Sequence, residues 1–157
     1  AMAYAVDADF IRFEAYVDNR AGSFGYIEAC STPLAKIMKD YPSDTMIFAD
    51  VHTAETYGVP NVPINELAGN AKGHDAHAVI VTENDQNKKI TPEDVKSMRE
   101  VMGDFPIIVG AGVKPGNVLD YMEYCDAVIV GRGFKTGDRV DPKLVKEFME
   151  IVHKKYN

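Results

Sequence analysis

Cysteine is scarce in this chain: two in 157 residues, Cys30 and Cys125, and neither stands in a Cys-x-x-Cys pair. That speaks against a disulfide framework and for free structural thiols in a reducing, cytoplasmic compartment. Long apolar runs are missing too. None reaches 18 residues, so no membrane span is expected, and the N-terminus carries no secretory pattern. Basic residues are outnumbered, 17 Lys and Arg against 24 Asp and Glu, for a net charge of −7. A broad nucleic-acid footprint is therefore excluded, while a local phosphate site is not. There is no Walker loop, and the third glycine of a dinucleotide turn is replaced by Pro115. Ser23 and Ser31 lie outside any nucleophile elbow, so triad hydrolysis has no support. What is present is an ordinary soluble composition, 46% hydrophobic and 26% charged, of a size suited to one domain over residues 1–157.

Five short apolar runs have strand length and composition: Phe10 to Val17, Met46 to Val51, Ala78 to Thr82, Pro106 to Val109 and Ala127 to Val130. Helical stripes lie between them, at Leu34–Tyr41, Val95–Met102, Val118–Cys125 and Leu144–Val152, with a weaker one over 62–71. Thr32-Pro33, Thr91-Pro92 and Asp141-Pro142 each offer a capping side chain followed by proline, and Lys114-Pro115 repeats the proline alone. Five strands alternating with five helices predict parallel βα units. Two architectures fit: part of a (β/α)8 barrel with five strands, or an open doubly wound sheet of flavodoxin type.

In either fold a ligand site lies at the C-terminal strand ends, and polar residues gather there. Strand alternation puts Arg12 and Glu14 on the face of Phe10 and Tyr16. Asp50 and His52 end the second run, and Thr82, Glu83, Asn84 and Asp85 end the third. The last two runs end in Gly110-Ala111-Gly112 and Gly131-Arg132-Gly133. Glycine lets backbone amides approach an anion closely, so two such turns in tandem predict a phosphate site around Gly110, Gly112, Val113, Gly131, Arg132 and Gly133. Asp50 is the candidate base, with Arg12, Glu14 and Thr82 beside it. No resident cofactor is predicted. His52 with Asp50 and Glu14 could hold a divalent metal, although no fixed spacing motif marks the set. His74 and His77 precede the third run and so fall at the wrong end.

Read in order, Ala8-Asp9-Phe10-Ile11-Arg12, Ile47-Phe48-Ala49-Asp50-Val51-His52, Ala78 to Thr82, Val109-Gly110-Ala111-Gly112-Val113 with Asn117, Ala127 to Gly131, Lys135 and Val140-Asp141-Pro142 resemble the BtpA/SgcQ family. The resemblance implies a phosphate-binding (β/α)8 barrel, of which this chain matches the C-terminal five βα units. It also implies one branch tied to photosystem I assembly and others near sugar metabolism. Ala54 and Glu55 stand where the family often has a lysine–histidine pair, Thr82-Glu83 where Thr-Gly is common, and Arg132 where a small residue follows the glycine. The expectation is a protein that binds a small phosphorylated metabolite, as an isomerase or lyase with Asp50 as base. The alternative is a non-catalytic assembly protein. Five strands leave open edges, which predicts a homo-oligomer or a partner chain that supplies the missing strands.

Overall fold

The computed structural model describes residues 2–83, 85 and 88–156. A short helix α1 (Met2–Ala5) precedes strand β1 (Phe10–Phe13), the hairpin β2 (Asn19–Gly22) and β3 (Gly25–Ile27), and helix α2 (Ser31–Asp40). Next come β4 (Met46–Val51), β5 (Thr56–Val59), α3 (Ile64–Gly73), β6 (Ala78–Val81), α4 (Pro92–Met102) and β7 (Ile107–Val109). The chain ends with α5 (Val118–Met122), β8 (Ala127–Val128), a 3-10 turn (Arg132–Phe134), the hairpin β9 (Lys135–Thr136) and β10 (Arg139–Val140), and α6 (Pro142–Tyr156).

Strands β1, β4, β6, β7 and β8 form one parallel sheet in that order, each beside its successor in sequence. A flavodoxin-type sheet would place its first strand inside and cover both faces with helices. Here Ile47, Ala49, Val51, Val79, Val81, Ile107 and Val109 pack with Leu67, Ala71, Val95, Met98, Val118 and Phe148 of the helices. The intervening residues Phe48, Ala78, Ile80 and Ile108 form a separate cluster on the other face. Sequential order with helices on one face is the arc of a (β/α)8 barrel, and the open doubly wound alternative falls.

The inner face is left partly uncovered. Phe10 stacks on Phe48 at 4.7 Å between centroids yet is 54% exposed, and Ile129 is 38% exposed. These lie at the two edges of the sheet, where a closed barrel would continue.

Several local expectations need correction. The first strand stops at Phe13 rather than running to Val17, and the alternation breaks with it. Tyr16 joins the helix-side core instead of sharing a face with Arg12, and its hydroxyl donates to the His74 carbonyl. Burial there raises its pKa to about 12. Thr32 is not a cap, since α2 starts at Ser31 after Cys30. Thr91 and Asp94 form a reciprocal capping box on α4, and the Asp141 carboxylate accepts from the Lys143 amide at the start of α6. The fifth helix begins at Val118, three residues beyond Pro115, because Asn117 closes a turn on the Lys114 amide first. His77 lies at the N-terminal end of β6, where Nδ1 accepts from the Ile47 amide, so neither it nor exposed His74 reaches the site. Asn84 falls outside the described residues.

The segments 18–27 and 56–59, which show no long alternating run, make a three-stranded antiparallel sheet in the order β3, β2, β5. It grows from the C-terminal ends of β1 and β4. A Cβ at Gly22 would lie 2.9 Å from the Glu55 carbonyl oxygen, so this strand crossing requires glycine.

Leu67 is fully buried between α3 and the sheet. Leu67→Ala is expected to lower unfolding free energy by about 2–5 kcal/mol, and Thr91→Ala by about 1 kcal/mol. Urea denaturation monitored by circular dichroism checks both, and an unchanged midpoint in Leu67→Ala would contradict the packing described.

Candidate functional site

Parallel pairing sets Arg12 against Phe48 and Asp50 against Ile80, so alternation brings Arg12, Asp50 and Thr82 to the inner face at its C-terminal end. Arg12 Nε donates to both Asp50 carboxylate oxygens, at 2.9 and 3.0 Å. The pair is lopsided: the Arg12 side chain is 44% exposed and that of Asp50 4%. Burial pushes the Asp50 carboxyl above its usual range, while Arg12 pulls it back. A cavity of about 450 Å³ opens over the pair, lined by Arg12, Glu14, Asp50, Thr53, Ala54, Glu55, Thr82 and Ala111. Arg12, Glu14, Asp50 and Thr82, picked out from the sequence, thus meet in one place.

His52 does not join them. It is buried with φ of +52°, and Nε2 lies 2.9 Å from the Val62 carbonyl oxygen and 3.8 Å from Asp85 Oδ1. The left-handed backbone turns its ring away from Asp50 toward the start of α3. The metal set of His52, Asp50 and Glu14 is therefore not assembled, and among the described residues no group of three His, Cys, Asp or Glu could hold a metal ion. His52 keeps a structural part in the site, since its carbonyl accepts from Thr82 Oγ1 at 2.9 Å.

The two glycine turns play unequal parts. A Cβ at Gly110 would lie 2.8 Å from Thr82 Cγ2 and 2.9 Å from Ile80 Cγ2, and its amide donates to the Val81 carbonyl at 2.7 Å. Gly110 thus serves strand packing. Gly112 has φ of +78°, and its carbonyl accepts from Asn117 Nδ2 at 3.1 Å. Among the described residues, neither Gly112 nor Val113 donates its amide to a backbone carbonyl. The second turn lies against the first: a Cβ at Gly133 would approach the Val113 carbonyl oxygen to 3.4 Å. Arg132 in that turn is exposed.

Sequence reading missed four buried polar residues, of which Thr53 lines the cavity. Arg20 of β2 and Asp18 just before that strand are buried, as are Thr53 and Thr56. Glu14 Oε1 accepts from Thr56 at 2.8 Å and from Thr53 at 3.2 Å. The available signal was the spacing itself, Asp18-x-Arg20 and Thr53-x-x-Thr56, in a stretch without strand-like hydrophobicity. The thiols lie elsewhere: Cys30 and Cys125 are unpaired with each other, and burial pushes Cys125 up to about 11. Among the described residues no helix is long and apolar enough to cross a membrane.

Asp50 carries a linkage test. A carboxyl raised in the folded state binds more protons there than in the unfolded chain, so its ionisation costs stability as pH rises through the ordinary carboxylate range toward the raised value. Without Arg12 that cost must grow. Arg12→Met is expected to lose stability against the wild type by a margin that widens from about pH 4 to about pH 7, and adding Asp50→Asn should flatten it. Denaturant midpoints across that range decide; a margin that does not change with pH would refute the coupling.

The chain is 30% identical over 158 residues to an uncharacterised protein of Methanocaldococcus jannaschii, covering 98% of this chain and 60% of that protein. It is 26% identical to the photosystem I biogenesis protein BtpA of Synechocystis, covering 97% of this chain and 55% of that one. The chain thus spans little more than half the length of these relatives. Among solved structures, native KDPGal superposes with a TM-score of 0.62 at 12% identity, over 96% of this chain and 61% of the other. Phosphoribosylanthranilate isomerase from Pyrococcus furiosus superposes at 0.58 and 18%, over 94% and 63%. At such identities the likeness concerns the fold, and it agrees with the barrel arc described above. The sequence profile of the BtpA family matches residues 1–154, and the chain belongs to that family.

Proposed function

We propose that this chain binds a small phosphorylated metabolite, of sugar-phosphate kind, with the phosphate held by the amides around Gly112, Val113 and Gly131 and by Arg132. The observation that carries this reading is the juxtaposition in one cavity wall of the buried, Arg12-paired Asp50 with Thr82 and with Ala111 of the first glycine turn. A carboxyl whose pKa is raised by burial, and which is held in place by a cation, is suited to moving a proton. The corresponding chemistry is isomerase- or lyase-type proton transfer, with Asp50 as base, Arg12 positioning the substrate and Glu14 as a second polar contact. Side chains suffice for it, and no resident cofactor is invoked. An isomerase among the fold neighbours fits this chemistry.

A second reading, a non-catalytic assembly protein, is favoured by Ala54 and Glu55 in the cavity lining and by the photosystem I biogenesis protein among the relatives. In both readings further βα units, from a second copy or a partner chain, cover the edges of β1 and β8. An apolar groove of about 490 Å³ lined by Tyr4, Ile11, Leu34, Ile37, Met38 and Tyr41 runs along the β1 side and would be covered with them. Sedimentation velocity is expected to show a species heavier than one chain, and a monomer at all concentrations would contradict that assembly.

Inorganic phosphate and sugar phosphates are expected to raise the melting temperature with the logarithm of their concentration above Kd, by roughly 5–10 °C at a hundred times Kd. Arg132→Ala should weaken that binding about tenfold or more, as loss of a charged hydrogen bond does. Exchange of substrate C–H for deuterium from D2O, followed by NMR, reads the proton transfer. Asp50→Asn should keep binding and lose exchange by about 10²–10⁴-fold. Binding without exchange in the wild type would select the assembly reading.

A further inference from the structure

The antiparallel sheet carries a buried ionic group that the chemistry above leaves unused. Arg20 is 1% exposed, and all three of its nitrogens are engaged. Nη1 donates to Asp18 Oδ2 at 2.7 Å, Nη2 to the Thr56 carbonyl at 2.9 Å, and Nε to Thr56 Oγ1 at 2.7 Å. A guanidinium has donors only, so Thr56 Oγ1 must accept from it and its own proton must go elsewhere. Two routes are open. Thr56 donates directly to Glu14 Oε1 at 2.8 Å, or it donates to Thr53 Oγ1 at 2.8 Å and Thr53 donates to Glu14 Oε1 at 3.2 Å. Both routes end with Glu14 accepting.

The other Glu14 oxygen, Oε2, has no hydrogen-bond partner among the described residues, and Glu14 lines the cavity. The chain makes room for the arrangement at some expense. A Cβ at Gly58 would lie 3.0 Å from Asp18 Oδ2, and Asp18 Oδ1 is buried without a partner among the described residues. Apolar side chains of similar volume commonly serve stability as well as a buried ion pair or better. What they cannot do is orient a hydroxyl proton.

We infer that Arg20 is a positioning residue: through the Thr56 and Thr53 hydroxyls it fixes Glu14 as a hydrogen-bond acceptor facing the cavity, which thereby selects ligands that donate a hydroxyl there, the polyol end of a phosphorylated metabolite. The selection rests on the phosphorylated-metabolite reading of the cavity; the relay itself does not. A site built to receive a hydroxyl discriminates against an analogue that lacks one, because its own polar group is then left unpaired.

The relay is tested without ligand, by the NMR signal of the Arg20 Nε–H group in the whole chain. Glu14→Gln keeps shape but removes the charge at the far end of the hydroxyl chain. It is expected to move the Arg20 signal upfield and speed its exchange. Thr56→Val should remove the signal from the hydrogen-bonded range, and Thr56→Ser should restore it. A signal that stays in place in Glu14→Gln overturns the relay.

Selection is read by calorimetry with glycerol 3-phosphate against n-propyl phosphate. The wild type and Thr56→Ser should prefer the polyol by roughly ten- to hundredfold, the worth of a hydrogen bond to a charged group. Glu14→Gln and Thr56→Val should lose that preference, each variant's own affinity for n-propyl phosphate serving as its reference. Equal affinities in the wild type overturn the selection. If neither probe binds although the Arg20 signal responds, the selection falls with the phosphorylated-metabolite reading and the relay survives. If both bind and the signal is fixed, the relay alone falls.

Discussion

Successive side chains on a strand point to opposite faces, and in this chain that alternation keeps stability and chemistry apart. Residues 47, 49 and 51 of β4 are apolar and buried against helices, whereas Phe48 and Asp50 face inward. The same parity repeats in β6, where Val79 and Val81 face the helices and Ile80 leads to Thr82. Because the pairing is parallel and sequential, inward positions of neighbouring strands fall side by side. The polar ones concentrate where the strands end. A slip of one residue in the β1–β4 register would set Asp50 among the helices and Ala49 in the cavity.

Two basic residues of this region are treated differently by the fold. Arg12 keeps its side chain nearly half in solvent and spends one nitrogen on Asp50. Arg20 is withdrawn from water altogether, with Asp18 and Thr56 taking its protons. Burying a guanidinium is tolerable only when its hydrogen bonds are made, and the antiparallel sheet is where they are made. That sheet is therefore more than a decoration on the barrel arc: it holds the polar floor on which Glu14 rests.

Much of the arc was legible from residues alone. The strand cores of β4, β6 and β7 are short apolar runs, the α4 cap is written in Thr91-Pro92-Glu93-Asp94, and the tandem glycine turns mark the last two strand ends. The meeting of Arg12, Asp50 and Thr82 followed from alternation once the strands were placed. The antiparallel sheet was not legible, because its strands carry Gly, Asn and Arg in place of a hydrophobic alternation, and its β2–β5 partners lie 34 to 40 positions apart in the chain. His52 misled for a related reason. Its residue type suits a metal, but a backbone at positive φ, invisible in the sequence, aims it away.

The sequence by itself determined the alternation of strand and helix, the parity that separates the core face from the polar face, and the family to which the chain belongs. These are local properties, carried by period-two and period-3.6 hydrophobicity and by caps and turns. Tertiary structure alone decided between barrel arc and open sheet, because strand order is a relation between distant segments that no local pattern encodes. It also decided which acids share the cavity and which way their hydrogen bonds run, since both depend on residues brought together only when the antiparallel sheet folds over the ends of β1 and β4.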